Sequence, residues 1–218
     1  MKLLLTSNGL CNKTIVNTLA DLLGKPFEKS SIAFIPTAAN VVPGDKNWVI
    51  NDLANCRKAG FAIVDIVDIA ALSKDEWQPR LEAADVLLFG GGNTFYLMHC
   101  IEKSGLDKLL PEYLKTKVYV GISAGSMVTG KYIRLSDSKK LYYPDIKGYQ
   151  DDAGLNLVDF SFRPHFNSPI FPNVNKEVLE KITKSFPETV YALDDESAIK
   201  IDGQKFDIVT EGKYLKFN

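Results

Sequence analysis

Cysteine and histidine are scarce in this chain: three and two, respectively, in 218 residues. Cys11, Cys56 and Cys100 lie far apart and form no C-x-x-C pair, which argues against a disulfide framework and against a zinc site. Each falls in a predicted helix, where a free thiol behaves as a small buried hydrophobe. A reducing compartment is therefore expected. No apolar run approaches the roughly 20 residues needed to span a bilayer. The first ten residues, MKLLLTSNGL, have too short an apolar stretch for the core of a signal peptide and read as a first strand. A cytoplasmic protein with no membrane partner is the expectation. Basic blocks are absent as well. The 26 basic and 27 acidic residues are well mixed, and the longest near-run, Lys139-Lys140, is two residues. Nucleic acid is thus a poor candidate partner. No linker, repeat or low-complexity segment interrupts the chain, so residues 1–218 are expected to form a single domain. With 45% hydrophobic and 24% charged residues, the composition is that of an ordinary globular protein.

What is present alternates. Apolar runs at 2–6, 31–35, 61–67, 86–89 and 118–122 read as strands, each bounded by turn residues. Between them, helical spacing appears at 13–23, 48–60, 74–84, 94–103 and 106–115. Short buried strands separated by helices indicate βαβ units and a parallel sheet covered on both faces, an α/β fold. The last third is less regular. A helix is predicted at 176–185 and strands at 190–193, 198–201 and 206–210, with Asp202-Gly203 as a hairpin turn.

Two segments carry chemistry. Gly121-Ile122-Ser123-Ala124-Gly125 fits G-x-S-x-G and follows a buried strand directly. A nucleophile whose hydroxyl must stand clear of the backbone needs a tight turn, and flanking glycines remove the collisions there. A helix starting at this point aims backbone N–H groups at a developing oxyanion. The plainer reading is a small-residue turn that lets a helix pack closely. Gly90-Gly91-Gly92-Asn93-Thr94 also joins a strand to a helix. In open α/β sheets ligands gather beyond the carboxyl ends of strands, so this turn should face the crevice that holds Ser123. Glycine there lets the backbone approach a substrate carbonyl, and Asn93 or Thr94 would cap the following helix. An oxyanion hole fits best. Phosphate binding fits less well, because neither G-x-G-x-x-G nor a P-loop lysine is present.

A serine hydroxyl needs a base. His99 lies in an apolar helical stretch and reads as a helix residue. His165, in the irregular segment 162–168 punctuated by Pro164 and Pro169, is the favoured base. An acid must orient the imidazole. Asp137 and Asp195 are both candidates, and the residues alone leave the choice open.

Together, Ile35-Pro36-Thr37-Ala38, Phe89 to Thr94, Gly121 to Ser126 and Pro164-His165-Phe166 resemble the dipeptidase E and cyanophycinase family of serine peptidases, over about residues 4–201. The resemblance implies a three-layer αβα sandwich with a mainly parallel sheet, flavodoxin-like and similar to class I glutamine amidotransferases. It implies Ser123 as nucleophile, His165 as base, and N–H groups of Gly91 or Gly92 and Ala124 as the oxyanion hole. For the acid it points slightly to Asp137, with Asp195 close behind. Aspartyl dipeptides would be the substrates, which calls for a cation near the site. Arg163 is one candidate, and Asn93 a second substrate contact. No metal or organic cofactor is called for. Two rival readings remain: an esterase of the α/β-hydrolase type, and a binding module without turnover. Against the first, that fold places its histidine near the C-terminus, whereas His165 has over fifty residues behind it.

Overall fold

The computed structural model describes residues 1–136 and 152–218. Its first five strands are β1 (Lys2–Thr6), β2 (Ser31–Ile35), β3 (Ile63–Ile66), β4 (Val86–Phe89) and β5 (Val118–Ile122). They alternate with helices α1 (Lys13–Leu23), α2 (Asn47–Ala59), α3 (Lys74–Ala83), α4 (Thr94–Ser104) and α5 (Leu106–Tyr113). After β5 come the four-residue helix α6 (Ala124–Met127), β6 (Ser161–Arg163) and α7 (Lys176–Ile182). Strands β7 (Val190–Leu193), β8 (Ser197–Asp202), β9 (Lys205–Thr210) and β10 (Tyr214–Phe217) complete the described chain.

Seven strands form one sheet in the order β3-β2-β4-β5-β1-β8-β9. Neighbours among β1 to β5 are parallel, whereas β8 and β9 run antiparallel. Side chains alternate across a strand, and the core divides accordingly. Leu3, Leu5, Ala33, Leu87, Phe89 and Tyr119 pack with α3, α4 and α5 on one face. Leu4, Ile32, Phe34, Leu88 and Val120 pack with α1 and with Cys56 of α2 on the other. Burial on both faces makes the central strands continuously apolar rather than alternating. The fold is an α/β sandwich with a mostly parallel sheet.

Several boundaries differ from the sequence reading. The helix predicted at 176–185 ends at Ile182 and tightens into a 3₁₀ turn, Thr183–Ser185. Cys11 is not helical. It precedes Asn12, whose side chain accepts from the N–H of Ile15 and starts α1. Strands β6 and β10, which sequence periodicity does not reveal, flank β7 in a second sheet of order β10-β7-β6. A three-residue strand is too short to show a period of two.

One buried charge site has a measurable consequence. Asp52, on α2, is 6% exposed, and its carboxyl faces the α-carbon of Gly9. Burial pushes its pKa up to about 7. A carboxyl that holds its proton more tightly folded than unfolded favours the fold at low pH, and that advantage is lost as pH rises to about 7. Asp52→Asn should therefore be more stable than wild type at pH 8, by up to about 4 kcal/mol. The gap should close towards pH 4 in urea denaturation. Parallel stability profiles for the two proteins would contradict this.

Candidate active site

The parallel register brings the ends of β1, β4 and β5 to one edge of the sheet, since Thr6 pairs with Ile122 and Phe89 with Gly121. Ser123 begins there. Its N–H donates to the Thr6 carbonyl at 3.0 Å, and its own carbonyl accepts from Met127 N at 2.9 Å. The backbone is forced into φ 48°, ψ −101°, a region costly for a residue with a side chain. That turn holds the hydroxyl away from α6. Gly125 makes it possible, because a Cβ there would lie 2.0 Å from the Phe89 carbonyl oxygen.

The glycine turn after β4 lies alongside. A Cβ on Gly91 would be 3.5 Å from the Ser123 Cβ. Gly92 adopts φ +130° over Ala38, where any side chain would collide with the Ala38 carbonyl. Among the described residues none accepts a hydrogen bond from the N–H groups of Gly91, Gly92 or Ala124. Free donors beside the Ser123 hydroxyl are the arrangement an oxyanion would require.

His165 arrives from the second sheet. Strands β6 and β7 are parallel, with Arg163 opposite Ala192, so the residues just beyond both strands emerge side by side. Those residues include His165 and Asp195. The His165 backbone sits at φ 64°, and Phe166 N donates to the Leu193 carbonyl at 2.9 Å, which ties the loop to β7. Nε2 of His165 lies 3.0 Å from Ser123 Oγ, and Nδ1 lies 2.6 Å from Asp195 Oδ1. Burial, the largest influence on Asp195, pushes its pKa up. The hydrogen bond and charge of His165, with a hydroxyl hydrogen bond from Ser168, outweigh burial and leave the carboxylate below its ordinary value. It stays ionised.

Asp137 lies outside the described residues. Of the other acids near Asp195, Asp194 accepts from the Ser197 hydroxyl and from Lys213 N, a structural engagement. Asn93 is buried, and its Oδ1 caps α4 by accepting from Tyr96 N at 2.9 Å. Arg163 is also buried and donates to the Leu135 carbonyl at 2.5 Å. His99 is half-buried on α4 and lines a separate cavity of about 630 Å³ with Trp77, Tyr96 and Lys103, and Ser123, His165 and Asp195 do not line it. Burial, with the charge of Lys103, lowers its pKa.

Four contacts at the site escaped the sequence reading. Ser7, fully buried, donates to the Leu193 carbonyl at 2.9 Å, and its hydroxyl accepts from His165 N at 3.4 Å. Ser168 supports Asp195. Phe171 stacks on the His165 ring, with centroids 4.3 Å apart and planes 11° apart. Trp48 lies against Gly91, its ring edge 3.5 Å from where a Cβ would stand. No sequence pattern marks these residues: Ser7, Ser168 and Trp48 join the site through contacts between distant segments, and Phe171 through the fold of its own loop.

Comparison with known proteins gives the site its context. A profile of peptidase family S51 matches residues 3–209. The chain belongs to peptidase family S51. It is a peptidase of the serine class, and so a hydrolase. An uncharacterized peptidase, Lmo0363 of Listeria monocytogenes, is 32% identical over 185 residues, covering 82% of this chain and 85% of its own. Peptidase E of a Nostoc species is 31% identical over 200 residues, covering 86% and 77%. A solved structure of a peptidase E-type protein from Listeria monocytogenes EGD-e superposes with a TM-score of 0.81 at 29% identity, covering 97% of this chain and 98% of that one. A peptidase from an acI-B1 actinobacterium, 18% identical with a TM-score of 0.71 and covering 98% and 88%, shares the fold. Among the described residues of the S51 peptidase, no helix is long and apolar enough to cross a membrane.

Proposed function

We propose that the peptidase hydrolyses short peptides through an acyl-enzyme on Ser123, with His165 as general base and acid and Asp195 as the orienting carboxylate. One observation carries this reading: three side chains from separate segments stand in a continuous chain, with contacts of 3.0 and 2.6 Å. Asp195 accepts a hydrogen bond from Nδ1–H, which fixes the tautomer whose Nε2 lone pair faces the hydroxyl. Nε2 takes the Ser123 proton as Oγ bonds to the scissile carbonyl carbon. The carbonyl oxygen becomes an anion, and the N–H groups of Ala124 and of Gly91 or Gly92 receive it. When the C–N bond breaks, Nε2 passes its proton to the leaving amine. Water then gives a proton to Nε2 and attacks the ester, and Ser123 recovers that proton as the acid product leaves. Loss of one oxyanion donor costs such a reaction about 3 kcal/mol of barrier.

The thiols are poor alternative nucleophiles. Burial, helped by Glu196, pushes Cys11 up to about 12, and burial does the same for Cys56. A fluorophosphonate should therefore label the protein once, at Ser123, in peptide-mapping mass spectrometry, whereas iodoacetamide should leave peptidase activity intact. Absence of labelling in wild type, or equal labelling of Ser123→Ala, would overturn the assignment.

A further inference from the structure

We propose that the site selects peptides whose side chain beside the scissile bond is apolar or aromatic, with Trp48 and Phe171 as the selecting walls. The inference rests on the proposed role of Ser123. The α-carbon of Gly91 lies between the nucleophile and the indole: a methyl group placed on it would be 3.5 Å from both the Ser123 Cβ and the Trp48 ring. Trp48 is half-buried in the first turn of α2, so part of its ring is open to a neighbour. Phe171 stacks one face on the His165 imidazole and is 38% exposed. Ile170, next to it, is 79% exposed.

These apolar groups are held in place. Phe171 N donates to the Ser168 carbonyl and Val174 N donates to that of Phe171, at 3.0 and 2.9 Å. Leaving Phe171 partly exposed on a hydrogen-bonded turn against the imidazole forgoes burial, and a substrate side chain can restore it.

An acidic side chain would need a cation to replace its lost water. Among the described residues, the cations nearest in sequence to His165, Trp48 and Phe171 each have a partner of their own. Arg163 donates to the Leu135 carbonyl, Lys46 donates to the carbonyls of Val42 and Gly44, and Lys176 pairs with Glu180 at 3.6 Å. The Arg163 geometry thus runs against the aspartyl expectation. The imidazole hands its proton to the leaving amine, so Phe171, stacked on that ring, flanks the residue after the scissile bond. Trp48, beside the glycine turn, flanks the acyl residue.

The test compares two diphenyl phosphonates that differ only in the side chain at the acyl position, benzyl against carboxymethyl, by their rates of labelling Ser123. Wild type should react about 10- to 100-fold faster with the benzyl reagent. Trp48→Ala should shrink that ratio about tenfold, and Trp48→Phe should restore most of it. A carboxymethyl reagent that reacts as fast or faster, or failure of both reagents on protein that a simple fluorophosphonate labels, overturns the inference. An unchanged ratio in Trp48→Ala overturns the role of Trp48. If the simple fluorophosphonate fails, the proposed function itself falls.

Discussion

Ser123→Ala is expected to lower kcat by about 10⁶-fold, because the alcohol that forms the acyl-enzyme is gone and only the oxyanion donors and substrate binding remain. Single-turnover kinetics should show no acyl intermediate. A variant that keeps more than about one part in 10³ of the activity would contradict the assignment. The same position offers an independent test through stability. Ser123 sits at φ 48°, ψ −101°. Alanine keeps the Cβ and therefore the strain, whereas glycine relieves it. Ser123→Gly should be more stable than Ser123→Ala by about 1–3 kcal/mol. At an ordinary position the order is reversed, since glycine loses more backbone entropy on folding. Both variants lack the hydroxyl, so its hydrogen bond to His165 cancels from the comparison. A urea titration of the pair isolates the strain held at the nucleophile.

Asp195→Asn is expected to lower kcat by about 10⁴-fold with little change in KM. An asparagine amide facing Nδ1 donates instead of accepting. It would favour the tautomer with its proton on Nε2, which cannot take the Ser123 proton. The contact is what favours Asp195 for this role: its Oδ1 is 2.6 Å from Nδ1, and Ser168 supports it as an anion. Asp137→Asn, made in parallel, should leave kcat within about an order of magnitude of wild type. The reverse ranking of the two variants would move the acid to Asp137. Burst kinetics with an activated ester separate the effects further, since Asp195→Asn slows acylation itself while leaving Ser123 able to react.

The α/β layering was legible because it depends on local rules. Runs at 31–35, 86–89 and 118–122 are apolar throughout because both faces of the strands are covered, and the structure forms β2, β4 and β5 with those bounds. Glycine at 121 and 125 around Ser123 points to a tight turn for the same local reason. By contrast, β6 is three residues long, and β10 has the exposed and half-buried pattern of an edge strand. Neither carries enough periodicity to be recognised before its partner is known.

The choice of acid could not be local. Asp137 and Asp195 are both carboxylates in turn-like sequence; what brings Asp195 to His165 is the parallel pairing of β6 with β7, which places the residues after both strands together. The same holds for Arg163, Ser7, Phe171 and Trp48. A sequence shows that Arg163 neighbours His165, but not that its guanidinium turns to the Leu135 carbonyl. Chain order by itself pointed to the strand-to-helix turns, to the Ser123 turn and to His165 rather than His99 as its neighbour, because steric demands on the backbone act within a few positions and only two histidines are present. Tertiary structure alone decided which carboxylate meets the imidazole and which side chains wall the crevice. Apart from that of Phe171 with His165, those contacts join segments tens of residues apart, and the packing of the strands and their loops, not residue type, sets their distances.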